Sequence, residues 1–309
     1  MSQNGARHYL VEHHTAYHYS EPALLSHQQL HLRPRPLNHQ STQTHEVAIE
    51  PTPTLQREFI DPFGNPVTEI AIESAHSKLD IVARTSVNVT EPAKIESGKT
   101  PDWESVREAL RYRAAWRPEP AILAATQFLF ESPHARVKRD LRAYASECFT
   151  PGRPILEAAA ALMAKIHGEF KYEVAATGVA TPVMKFFEQK RGVCQDFAHL
   201  MISCLRSTGL AARYVSGYLL TRPPPGKARR IGADASHAWV SLFIPEIGWI
   251  DLDPTNNVTP SLEHITIGWG RDFSDVTPLR GVINGGGEQT LEVKVTVEPV
   301  ENVEIKSAP

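Results

Sequence analysis

Gly192-Val193-Cys194-Gln195-Asp196-Phe197-Ala198-His199 is the stretch that decides the fold. Beyond it, Phe197, Met201, Cys204, Leu205 and Thr208 recur at three-to-four spacing, so one face of a helix is committed to a core. Gly209 ends that helix, and Cys194 falls at its start. A thiol there meets unpaired N–H groups and the positive end of the helix dipole, which favour thiolate over thiol. The same N–H groups can hold an oxyanion when the sulfur attacks a carbonyl. A buried structural cysteine is the competing reading. It is the better one for Cys204, which sits mid-helix on the apolar face.

Two downstream segments complete the set. His237 precedes an apolar strand, Ala238 to Ile244, and follows the polar loop Gly232 to Ser236. Trp249 to Leu252 reads as the next strand, with Pro245-Glu246-Ile247-Gly248 as the turn between them. Asp251 and Asp253 are two apart and share a strand face. The pattern leaves both open as partners of His237, although counting back from the turn brings it closer to Asp253. A carboxylate at that point accepts the second imidazole N–H, fixes the tautomer and favours the imidazolium. Thiol, imidazole and carboxylate are the parts of an activated nucleophile.

Upstream, Trp103 to Arg113, Ala121 to Phe130, Ala135 to Glu147 and Ile155 to His167 read as helices. Another begins at Thr181-Pro182 and is expected to end near Arg191-Gly192, with Gly192 in the left-handed conformation. Ala212 to Leu220 returns to strand periodicity. Residues 8 to about 92 alternate apolar with polar residues in short runs, broken by segments such as Asp61-Pro62-Phe63-Gly64-Asn65-Pro66. That spacing predicts an antiparallel β-sandwich. A polar linker, Glu91 to Asp102, follows. The expected division is an all-β region over 1–95, a helical segment over 96–160 and a core over 161–309 that includes a last strand, Leu291 to Val297.

The bulk numbers suit such a protein. The chain has 309 residues, 41% hydrophobic and 22% charged, with a formal net charge of -3. No strong field draws it to nucleic acid or to an anionic membrane. Met1 to His8 lacks the apolar run of a secretion signal, and no run is long enough to span a bilayer. Three cysteines, Cys148, Cys194 and Cys204, do not make a disulfide framework. A cytoplasmic setting is expected.

The motifs Gly192 to Leu200, Arg213-Tyr214-Val215-Ser216-Gly217-Tyr218, Asp234 to Trp239, Asp253-Pro254-Thr255-Asn256 and Gly270 to Asp275 resemble those of the bacterial transglutaminase-like proteins. The N-terminal strands resemble the all-β region that precedes the core in that family, so the likeness runs over nearly the whole chain. It implies an α+β, papain-like fold with the nucleophile helix packed on an antiparallel sheet. It also implies Cys194 as nucleophile, His237 as base and Asp253 as orienter. Members include peptidases, amidases and transamidases. The implied chemistry is attack on a peptide or isopeptide carbonyl through a thioester, with no cofactor. The partner is a peptide or protein substrate, joined by an amine where transamidation occurs. Hydrolysis is favoured, because water needs no second site. Two departures stand out. Gln195 occupies the place of an aromatic residue in animal transglutaminases, and the acidic, oxygen-rich loop that calcium needs is absent from the sequence.

Other residues carry weaker signals. Gln195 reads as an oxyanion donor or a helix cap, and Asp196 as a complement to the dipole. His199 can pair with Asp196 on one helix face or shape the pocket. Arg271 and Asp272 clamp a substrate carboxylate or pin a loop. His8, His13, His14, His18, His27, His31, His39 and His45 are read as a solvated sheet face in preference to a metal site. Lys227-Ala228-Arg229-Arg230 reads as an exposed loop bordering the cleft. A zinc site at Cys194, His237 and Asp253, and a catalytically silent binding module, are the rival readings.

Overall fold

The computed structural model describes residues 5–113, 117–174, 176–221 and 236–300. The basic run at 227–230 and the loop at 232–235 lie outside them. The first strand, β1 (Ala6–Leu30), is the spine of a seven-stranded antiparallel sheet. It is followed by β2 (Gln40–Glu50), β3 (Leu55–Ile60), β4 (Pro66–Ile72) and β5 (His76–Thr90). The register of β1 shifts between His18 and Ala23. Before the shift it pairs with β5; beyond it, from Ser26 to Leu30, it pairs with β4. The two halves of this one sheet share a core of Leu30, Ile70, Ile72, Leu79, Ile81 and Ala83. Strand alternation thus buries one face, as a sandwich would, while β1 belongs to both halves.

Next come the helices α1 (Trp103–Ala109), α2 (Pro120–Thr126), α3 (Arg139–Ser146) and α4 (Ile155–Glu169). After a two-residue strand, β6 (Lys171–Tyr172), the chain enters α5 (Val183–Gln189), β7 (Arg191–Gly192) and α6 (Cys194–Ser207). Helix α6 is buried all round from Asp196 to Ser207, which marks it as the central helix of the core. It packs on α3, α4 and α5 and against the sheet formed by β8 (Ala212–Leu219), β9 (Ser236–Ile244), β10 (Gly248–Leu252) and β11 (His264–Gly270), in the order β10-β9-β8-β11. Residues of α1, α3 and α4 lie in the same apolar cluster as Phe197, Leu200 and Leu242, and α4 runs through residue 160, so the helical segment is part of the core.

Two expectations need correction. The last strands, β12 (Leu279–Gly285) and β13 (Gln289–Val300), pair with β1 and not with the core sheet. Pairing with a strand so distant in sequence leaves no local signature. Val295 and Val297 of β13 join Tyr9, Val11, Tyr218 and Ile265 in a cluster that fixes the large sheet to the core. The histidines of β1 are also not a uniformly solvated face. His13 is buried, its Nδ1 lies 2.8 Å from the Tyr218 hydroxyl, and burial lowers its pKa to about 4. His31 is buried as well, against the Thr277 carbonyl.

Candidate active site

Cys194 is the first residue of α6, half-buried and free of any disulfide. Its position follows from a cap made by its own neighbours. The Val193 N–H donates to Asp196 Oδ2 at 2.9 Å, and the Thr177 hydroxyl donates to the same oxygen at 2.6 Å. Asp196 is therefore a helix cap. The Gln195 side chain turns away and donates to the Val179 carbonyl at 3.1 Å, so its amide is spent on the loop before α5 and not on an oxyanion. The backbone N–H groups of Cys194 and Gln195 are the first-turn donors of α6 and find no acceptor among the described residues. They are the donors available to an oxyanion.

Gly192 explains itself by packing and not, as expected, by a left-handed backbone; Lys190 takes that conformation, with φ 54°. A Cβ on Gly192 would lie 2.5 Å from Asp196 Oδ2 and 2.8 Å from the Phe186 ring. Gly192→Ala should therefore disturb the cap and cost about 1–3 kcal/mol through overpacking. It should also slow alkylation of Cys194. Thermal unfolding and iodoacetamide labelling of one preparation check both; an unchanged melting temperature would refute this reading of the cap.

His237 is the second residue of β9 and Asp253 follows β10 directly. His237 Nε2 lies 2.8 Å from Asp253 Oδ2, which leaves Nδ1 uncommitted, and Cys194 is near enough to His237 to favour its charged form. Asp251, the other candidate, accepts the Trp239 indole N–H at 3.0 Å. The Asp253 carboxylate is fully buried. Its Oδ1 accepts the N–H groups of Thr255 and Asn256, and its Oδ2 accepts the Asn256 amide at 2.7 Å. Burial works against charge on both members of the pair. The hydrogen bonds outweigh it, holding Asp253 well below the usual carboxylate range and, with Cys194, raising His237 to about 10.

A residue the sequence reading missed completes the arrangement. His264, the first residue of β11, directs Nε2 at Asp253 Oδ2 from 3.2 Å and packs edge-on against Trp239. Ile265 and Ile267 alternate with Thr266, a legible strand signal, yet only the pairing of His264 with Leu219 brings it to the site. Gly217 of β8 allows the approach, since a Cβ there would sit 2.5 Å from the Trp239 ring. His237, Asp253 and His264 are also donors of the kind that bind metals. In this structure the two imidazole nitrogens stand 2.8 and 3.2 Å from one shared carboxylate oxygen, at hydrogen-bond spacing. His264→Phe should slow Cys194 alkylation by about tenfold, the scale of one hydrogen bond to a charged group. Labelling at the wild-type rate would make His264 only a packing residue.

His199 does not pair with Asp196, because that carboxylate is turned back onto the helix start. It accepts the Phe273 N–H at 3.2 Å and stacks on His134 at 5.2 Å, and burial lowers its pKa to about 3. Arg271 is engaged by Asp275, and Asp272 by the His134 N–H and Ser274. These residues pin the loop after β11.

Comparison with known proteins gives the family. Residues 142–254 match the transglutaminase-like superfamily, and residues 9–88 match the bacterial transglutaminase-like N-terminal region. The chain belongs to the transglutaminase-like superfamily. An uncharacterized protein of Mycobacterium tuberculosis is 37% identical over 305 residues, covering 96% of this chain and 95% of the relative. The protein-glutamine gamma-glutamyltransferase of Pseudomonas aeruginosa is 33% identical over 124 residues, 37% of this chain and 19% of that enzyme. A solved structure described as a candidate cysteine protease, from Cytophaga hutchinsonii, superposes with a TM-score of 0.72 at 19% identity, covering 96% and 92% of the two chains. That likeness in fold runs over both the N-terminal sheet and the core, and the core, which carries the family match, has the transglutaminase-like, papain-like fold.

Proposed function

We propose that the protein is a cysteine-dependent amide-bond hydrolase, and the observation that carries this is a half-buried Cys194 at the start of α6 whose charge acts on His237, itself held by the buried Asp253. The Cys194 sulfur attacks the carbonyl carbon of a peptide or isopeptide bond. The oxyanion so formed is met by the free N–H groups at the start of α6. The His237 imidazolium gives its proton to the leaving amine, the C–N bond breaks and a thioester remains. Water then loses a proton to His237 and attacks the thioester, releasing an acid and restoring the thiolate–imidazolium pair. Asp253 keeps Nε2 protonated throughout.

Transamidation shares every step up to the thioester, and the similarity to a glutamyltransferase over 124 residues favours keeping it as the second reading. The deciding experiment is a product assay on a peptide library with and without a primary amine. Free acid in both arms supports hydrolysis; product only as the amine adduct would replace it with acyl transfer. Stoichiometric zinc in the purified protein would overturn both. Full biological activity of Cys194→Ala would instead point to a binding module. A reactive thiol also fits a reducing, cytoplasmic setting.

A further inference from the structure

The outer face of the core sheet carries a guanidinium that stacks on indoles but has no hydrogen-bond acceptor among the described residues. Arg213 of β8 stands in one cross-strand row with Ser241 of β9 and Asp251 of β10. Its guanidinium lies 3.5 Å from the centre of the Trp269 ring and 4.1 Å from that of Trp249, and the residue is only 7% exposed. Nε is sealed without an acceptor, as is the Ser241 hydroxyl beside it. Among the described residues the Arg213 guanidinium makes no hydrogen bond and no ion pair, Asp251 lying beyond contact. Arg206, also buried, makes four hydrogen bonds, to the carbonyls of Ala212 and Arg271 and the hydroxyl of Ser132. Burial lowers the pKa of Arg213 to about 9, and the attraction of Asp251 does not restore it. A buried guanidinium stacked on indoles with its donors idle has the chemistry of an oxyanion receptor.

The space it faces is large enough for a ligand. A cavity of about 890 Å³ lies between the core sheet and the segments at 36–39 and 90–95, with Arg213, Trp239, Trp249 and Trp269 on its wall. Pockets for small molecules fall in this range, and they combine apolar walls with a few polar anchors. Neither Cys194 nor His237 lines it, although His264, behind Asp253, does. Two features narrow the ligand. The indole planes admit a flat or aliphatic body, and Asp251 in the same row disfavours a dianion such as phosphate.

We propose that this cavity is a binding site for a small organic monocarboxylate, with the carboxylate on Arg213 and the apolar body against Trp239 and Trp249. The site is separate from the thiol and stands whether or not the hydrolase reading does. The test is tryptophan fluorescence of the full chain, since three of its five tryptophans line the cavity. The probes are 3-phenylpropanoate, its uncharged amide and inorganic phosphate. The acid should give a saturable change, with the amide and phosphate at least tenfold weaker. Asp251→Asn, which keeps an acceptor for Trp239, should tighten the acid several-fold. Arg213→Met should abolish the preference for acid over amide. Acid and amide titrating alike on the wild-type protein would overturn the proposal, which keeps it testable even if Arg213→Met fails to fold. A response lost in Cys194→Ala would overturn it too, by moving the binding to the thiol.

Discussion

Asp253→Asn should lower amide-bond turnover by roughly a thousand- to ten-thousand-fold, the scale seen when the buried aspartate behind a catalytic histidine is neutralised. The Asp253 carboxylate accepts on both oxygens, from His237, His264 and Asn256 on one and from two backbone N–H groups on the other. An asparagine presents a donor on one side whichever way it turns, so a buried donor must face another. His237 then loses its partner or takes the wrong tautomer. The pH dependence of stability should change with it. Asp253 is depressed, so its contribution is present above the ordinary carboxylate range and is lost as pH falls through its folded value. His237 is raised to about 10, so its contribution is complete below an ordinary histidine pKa of about 6.5 and is lost as pH climbs through about 10. In Asp253→Asn both limbs should flatten. Steady-state kinetics and chemical denaturation across pH provide the readouts; turnover within a few-fold of wild type would remove Asp253 from the mechanism.

His237→Ala should slow alkylation of Cys194 at pH 6 by on the order of a hundredfold, because an ordinary thiol of pKa about 8.5 is ionised in only roughly one molecule in 300 there. The wild-type sulfur stands beside an imidazole that stays protonated up to about pH 10. Labelling rates from pH 5.5 to 9, read by mass spectrometry, separate the cases. Cys204 is an internal standard: it is fully buried, which pushes its thiol up, and it should label slowly in both proteins. Equal rates at pH 6 for wild type and variant would mean that the imidazole does not activate the sulfur.

Much of this site is legible in the sequence because its parts sit at the ends of regular elements. Helical spacing from Phe197 to Leu205 and the stop at Gly209 place Cys194 at a helix start, and the Gly248 turn sets the register that favours Asp253 over Asp251. What escaped depends on pairing between distant strands. His264 reaches Asp253 only because β11 pairs with β8, across an irregularity between Thr266 and Gly268. The burial of His13 depends on Tyr218, more than two hundred residues away, and no local pattern encodes it. Arg213 was visible as part of a motif, but its idle donors emerge only once Trp249 and Trp269 close over it.

The strand pairing of His8 with Val300 has a consequence in time. A ribosome makes β13 after β1 and after every element of the core. Until β13 arrives, the cluster beneath Tyr218 and Ile265 lacks Val295 and Val297. That cluster supports β8 and β11, and β11 carries the imidazole behind Asp253. The support beneath β8 and β11 is thus completed only after α6 has been made, and a chain lacking β13 carries Cys194, His237 and Asp253 without Val295 and Val297 beneath their sheet.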